Sequence, residues 1–262
     1  MKKLVPFILF ILCSCKLFAA GDDTDSLKRR FQLTKNSIDS LRLQLKTTKD
    51  SLKAPLYTQI ATEYLKHDTV ANKKTRLAYQ NAAISNTITA IHLYAKYNDT
   101  IGLRLSFDKL TKIYHAQHKY PQAKWFILQS NTLSRAKNDN PNIITSLLEL
   151  ASIKTDIKDY NLALADLNEA LTLSSKNHYP QLESKVQLNY ALYYNKTKNY
   201  PKADAALKRS HAIDDSIKRD EEARLMAEIN SNDSEMQVKK KLYTISSRKP
   251  YRSSFSKKIA SL

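Results

Sequence analysis

The chain has 262 residues, of which only two are glycine and two cysteine, and its 43 lysines and arginines against 25 aspartates and glutamates give a formal charge of +18. Gly21 and Gly102 cannot build the glycine-rich loops that cradle phosphates, because such loops need backbone positions that only glycine fills comfortably. Nucleotide-dependent kinases and dinucleotide enzymes are thereby excluded, and the length suits one repeat array with flanking helices and no second globular domain.

At the start of the chain, Lys2 and Lys3 precede an apolar run from Leu4 to Cys13, and Phe18-Ala19-Ala20 precedes acidic Asp22 and Asp23. This is the arrangement of an export signal occupying 1–20, cut after Ala20. The apolar run is shorter than the roughly 20 residues a spanning helix needs. Both cysteines, Cys13 and Cys15, lie within 1–20, so a chain cut after Ala20 has no thiol for disulfides or nucleophilic chemistry. Leu12-Cys13-Ser14-Cys15 also resembles a bacterial lipobox, in which Cys15 would carry the lipid. The expected location is the periplasm or cell envelope, either secreted or held as a lipoprotein at Cys15.

Residues 24–53 place Leu27, Phe31, Ile38, Leu41, Leu45 and Leu52 at spacings of three, four or seven between charged residues, which predicts one or two amphipathic helices capping the array beyond them. From 54 to 218 a 40-residue period takes over, anchored by Tyr120-Pro-Gln-Ala123, Tyr160-Asn-Leu-Ala163 and Tyr200-Pro-Lys-Ala203. Upstream of the anchors, Phe107, Leu110, Thr111 and Tyr114, then Leu147, Leu150 and Ala151, then Tyr190, Ala191 and Tyr194, form the stripe of a buried helix. Downstream, Ala123, Ile127 and Ser130 match Ala163, Leu167 and Ala170, then Ala203, Leu207 and Ser210. Each unit therefore reads as two antiparallel helices that cannot bury their apolar faces alone and must stack, as in a solenoid. The units span about 54–99, 100–139, 140–179 and 180–218, the first with an insertion around Lys66 to Thr75. Asn98-Asp99, Asn138-Asp139-Asn140-Pro141 and Asn177-His178-Tyr179-Pro180 supply the turns between hairpins, and Pro121 and Pro201 stand in first turns, where a missing N–H costs nothing.

These positions resemble the tetratricopeptide repeat (TPR), most clearly from Leu147 to Leu171, with Tyr57, Ile60, Ala61 and Tyr64 and then Ala83, Thr87, Ala90 and Ile91 as an earlier copy. The sequence departs from the family where its usual glycine is Ala61, Thr111, Ala151 or Ala191, where Lys154 replaces an aromatic, and where Gln187 replaces a large apolar residue. The resemblance implies an all-α, right-handed TPR-like α-solenoid of about four helical hairpins, with an N-terminal capping helix and a long C-terminal helix. It also implies a concave groove walled by the first helix of each hairpin. The matching polar positions are Thr58, Thr62, Asp108, Lys112, His115, Ser152, Asp156, Lys185, Asn189 and Asn195, a mixture of donors and acceptors suited to an extended peptide. The clamp with which some relatives hold a carboxyl-terminal tail is missing, since Thr58 and Thr62 stand where it begins.

Beyond the repeats, 219–241 reads as a charged helical extension, continuous from Asp204 to Lys241 without glycine or proline and carrying Ile217, Leu225, Met226, Ile229 and Met236 on an incomplete apolar stripe. Its occupant could be a second copy in a homodimer. Residues 242–262 are serine-rich and basic, a composition that favours disorder. Three cations fall in 1–20 and eight after 238, leaving +7 for 21–238, so the excess charge is concentrated at the ends. In an exported chain this points to anionic lipid headgroups, an acidic polymer or simply a solvated end, not to nucleic acid. A signal, TPR hairpins and a charged helix together resemble the periplasmic part of bacterial sensor kinases and regulators. The alternative to a free-standing protein is thus the sensory fragment of a truncated membrane-bound two-component or transcriptional regulator, without its transmembrane and output domains.

No catalytic constellation is evident. His115 and His118 have metal-compatible spacing with no adjacent carboxylate, and Asp214-Asp215 and Glu221-Glu222 lie among Lys218, Arg219 and Arg224, as on a solvated helix face. The expectation is a protein that is not an enzyme and has no metal or cofactor. It would bind a protein or peptide partner, with Trp125, the only tryptophan, as a second interface candidate on the flank of its helix.

Overall fold

A computed structural model describes residues 28–67 and 69–246. The export signal with Cys15, and the tail from 247 onward, lie outside the described residues. All regular structure among those described is helical. Helix α1 (28–47) and a 3₁₀ turn (Asp50–Leu52) lead into α2 (Lys53–Leu65) and α3 (Lys73–Lys96). Next come α4 (Thr100–Ala116), α5 (Tyr120–Ala136), α6 (Asn140–Asp156), α7 (Tyr160–Lys176), α8 (Pro180–Lys196) and α9 (Tyr200–Ser246). Helices pair as α2/α3, α4/α5, α6/α7 and α8/α9, and each pair packs on the next.

The regularity has a local cause. Helices α4 to α8 each contain 17 residues, and the connector after α3 and after each of them places one residue in the left-handed region: Asn98, His118, Asn138, Lys158, His178 and Lys198. The following N–H then returns to a carbonyl in the last helical turn, as in Asp99 to Tyr94, Lys119 to Tyr114 and Asp159 to Lys154, at 2.8–2.9 Å. These are Schellman closures, which satisfy orphan carbonyls and reverse the chain abruptly. With glycine absent from all six sites, asparagine, histidine and lysine take a conformation that costs an L-residue roughly 1–2 kcal/mol. New helices start on Asp99 and Asp139, whose carboxylates accept from the Gly102 and Asn142 N–H groups, and on prolines in the first turn of α5, α6 and α8.

Small residues set how closely the helices approach. Ala61, Ala83, Ala90, Ala123, Ala163 and Ala170 are fully buried, and Leu110, Ile144, Ile153 and Leu167 fill the space between hairpins. Truncating Leu167 to alanine is expected to cost about 2–5 kcal/mol. At the amino-terminal end α1 covers the first hairpin: Phe31 stacks on His67 with ring centroids 4.4 Å apart, and Thr34 is 2.9 Å from His67 Nε2.

Three details differ from sequence expectation. Lys154, where an aromatic belongs, is buried because its ammonium lies 2.6 Å from Asp166 of α7. The anchor Tyr200 is 63% exposed, whereas Tyr120 and Tyr160 are partly covered; each of those packs on the hairpin after it, and no hairpin succeeds α9 among the described residues. Finally, α9 continues to Ser246, past the point where composition suggests a tail. No helix among the described residues is long and apolar enough to cross a membrane.

Candidate functional site

Helix α6 packs directly on α8 as well as on α7, while no comparable packing joins α5 to α7. At α6/α8, and more weakly at α2/α4, the first helices of neighbouring hairpins are closer together than the second helices, which makes theirs the inner, concave wall. Between α6 and α8 lies an open cleft of about 300 Å³. Its apolar surface comes from Ala151, Leu167, Leu192 and Tyr193, and its polar rim from Ser152, Asp156, Asn189, Asn195 and Lys196. Four residues singled out from the sequence, Ser152, Asp156, Asn189 and Asn195, are thus brought together.

At one edge of the cleft is a chain of charges that crosses three hairpins. His115 on α4 has Nδ1 3.3 Å from Glu149 Oε1 and Nε2 2.9 Å from Asp156 Oδ2, both on α6. The other Asp156 oxygen accepts from Lys196 Nζ of α8 at 3.2 Å. The bond to Glu149, more than burial opposes it, raises the pKa of His115, with Asp156 adding to the effect. Burial pulls Asp156 upward, yet its bonds to His115 and Lys196 together hold the carboxyl below its ordinary value. The network fixes the spacing of α4, α6 and α8 and leaves Lys196 on the cleft rim.

The remaining candidates lie elsewhere. Thr58 and Thr62 each return a hydrogen bond to their own helix, and Lys109 of α4 reaches the Thr58 carbonyl at 3.1 Å and Thr62 Oγ1 at 2.5 Å. Burial lowers the pKa of Lys109. Asp108 is engaged by Arg104 at 2.8 Å and by the Ser130 hydroxyl, with burial raising its pKa. These three candidates join α2, α4 and α5 and are occupied by that task. Lys112 of α4 and Lys185 of α8 are exposed and do not line the cleft. His118 meets the Tyr120 hydroxyl at 2.9 Å while both ring nitrogens of His115 face carboxylates, so the two histidines share no ligand position.

Trp125 stands on α5, away from the cleft and 54% exposed, with its ring edge-on to Phe107 and Phe126. Sequence reasoning missed Glu149, Lys196, Leu192 and Lys109. Lys196 was within reach, since it stands one 40-residue period beyond Asp156.

No family model and no curated protein matches the sequence. Among solved structures, the chain is similar to BtubC (BKLC) from P. vanneervenii, at 14% identity over 73% of this chain and 92% of that one, with a TM-score of 0.48. It is also similar to a Podosopora anserina putative kinesin light chain with nearly identical TPR-like repeats, at 16% identity over 71% and 96% of the two chains, with TM-scores of 0.45 and 0.46 for two forms. The stacked hairpins, the recurrent left-handed turns and the closely packed inner helices make this chain a TPR-like α-solenoid.

Proposed function

We propose that the chain is an exported, non-catalytic scaffold that holds an extended peptide, or a segment of a partner protein, along the inner face of α4, α6 and α8. The observation that carries this reading is the α6/α8 cleft. An apolar floor within a ring of amide, hydroxyl and charged groups accepts one bulky side chain while the rim pairs with the peptide backbone. Lys112, Lys185 and Lys196 favour a partner with acidic residues beside that anchor. Export rests on the pattern of residues 1–20, with lipid attachment at Cys15 as its anchored form, and the basic carboxyl-terminal segment would touch anionic headgroups.

The test is selection of a random peptide display library on the immobilised chain. Enriched peptides should share an apolar anchor beside acidic residues, and Leu192→Asp should weaken their binding by about tenfold or more. Trp125→Ala should leave it unchanged. Failure to enrich any peptide, or loss through Trp125→Ala with Leu192→Asp neutral, would overturn the reading; the second result would move the site to α5.

A further inference from the structure

Helix α9 carries more apolar surface than its own hairpin covers. Its inner side, with Ala203, Ala206, Ser210 and Ile213, is buried against α8. A neighbouring side of the same helix carries Leu207, the counterpart of Ile127 and Leu167. Those two are 3% and 1% exposed under the next hairpin, whereas Leu207 is 37% exposed. The uncovered side continues without a break: Leu207, His211, Asp214, Lys218, Glu221 and Leu225 succeed one another at alternating steps of four and three, a heptad seam along one edge of the helix. Leu225 is 58% exposed, and Met226 and Ile229 extend the apolar surface beside it.

The order of groups on this seam identifies what fits it. It reads leucine, histidine, aspartate, lysine, glutamate, leucine, and is complementary to itself when reversed. A second α9 laid antiparallel, with the two-fold axis between Asp214 and Lys218, sets Leu207 against Leu225 of the second copy, His211 against Glu221 and Asp214 against Lys218. Each layer occurs twice, as an isologous interface requires. A parallel pairing would oppose Asp214 to Asp214, Lys218 to Lys218 and Glu221 to Glu221. Lys218 gives up little by changing partner, because its present neighbour Glu222 is 4.0 Å away in an exposed pair. The second helix occupies the place on α9 where the array's period would set the first helix of another hairpin. We infer that α9 is an antiparallel homodimer surface joining two solenoids end to end through the Leu207–Leu225 seam.

Sedimentation velocity of the full-length chain under reducing conditions, across micromolar concentrations, tests this. The parent should show a concentration-dependent dimer. Asp214→Lys alone and Lys218→Asp alone should each raise the dimer Kd about tenfold or more, and the combined exchange should return it to within about threefold of the parent. Both positions are exposed, so circular dichroism should show the helical content unchanged. A chain that stays monomeric throughout, single reversals that leave the dimer intact, or a double exchange no better than its parts would each overturn the inference.

Discussion

Replacing Lys154 with methionine restores an apolar residue at the position where the repeat pattern calls for one, and the structure predicts that it destabilises the protein. The Lys154 ammonium and Asp166 carboxylate are 2.6 Å apart with side chains 11% and 13% exposed. Asp166 Oδ2 is buried, and the Lys154 ammonium is the group that compensates it. Removing one partner of a buried pair typically costs 3–5 kcal/mol. The residual exposure, and the weaker pull of Lys124 on Asp166, bring the expected loss to or just below the bottom of that range, about 2–3 kcal/mol or 5–10 °C in Tm.

Burial already raises the Asp166 pKa against the opposing pull of Lys154, and loss of the lysine raises it further. The deficit should therefore be full at neutral pH and shrink as pH falls through the folded-state value, where the carboxyl becomes neutral. Lys154→Met/Asp166→Leu, which removes both charges, should come within about 1 kcal/mol of the parent. Urea unfolding monitored by circular dichroism supplies all three numbers. A single variant as stable as the parent, or a double variant worse than the single one, would refute the reasoning.

The same geometry sets three further outcomes. His115→Gln should cost about 1–3 kcal/mol at pH 6 through loss of charge-assisted bonds to Glu149 and Asp156. Because the folded-state pKa of His115 is raised, its contribution is complete below the unfolded value and fades as pH rises through the folded one, so urea curves of parent and variant should converge by pH 9; a constant gap would contradict the assignment. Lys158→Gly should raise stability by about 0.5–1 kcal/mol, since relief of the left-handed backbone exceeds glycine's entropic cost, as seen in the urea midpoint. Gly102→Ala, which helix propensity alone would favour, should lower Tm instead, by an equivalent of about 1–2 kcal/mol, because the new methyl would overlap the buried ring of Tyr94.

Much of the fold was legible because it is locally encoded. The apolar stripe of α6, the buried alanines of α5 and α7 and the prolines in first turns all express short-range rules, and the 40-residue period repeats them. Legibility declined where an interaction joins residues far apart in the chain. Lys154 looked like a defect because Asp166 answers it only once α6 and α7 have folded back on each other. His115 has no carboxylate beside it in sequence, although Glu149 and Asp156 reach it from the next hairpin at separations of 34 and 41 residues. Thr58, Thr62 and Asp108 occupy groove-type positions, yet Lys109, Arg104 and Ser130 engage them, and a positional pattern cannot distinguish a free polar group from a committed one. The cleft itself depends on how closely α6 and α8 approach, which the spacing of apolar residues does not specify.

The proposed binding surface is the inner face at α6 and α8. A crystal structure of the chain with the tightest peptide recovered by display selection tests it most directly. The expected result is an extended peptide across α6 and α8, with an apolar side chain against Leu192 and Tyr193 and backbone bonds to Asn189 and Asn195. A peptide seated instead on α5 around Trp125, or along the outer side of α9, would contradict it.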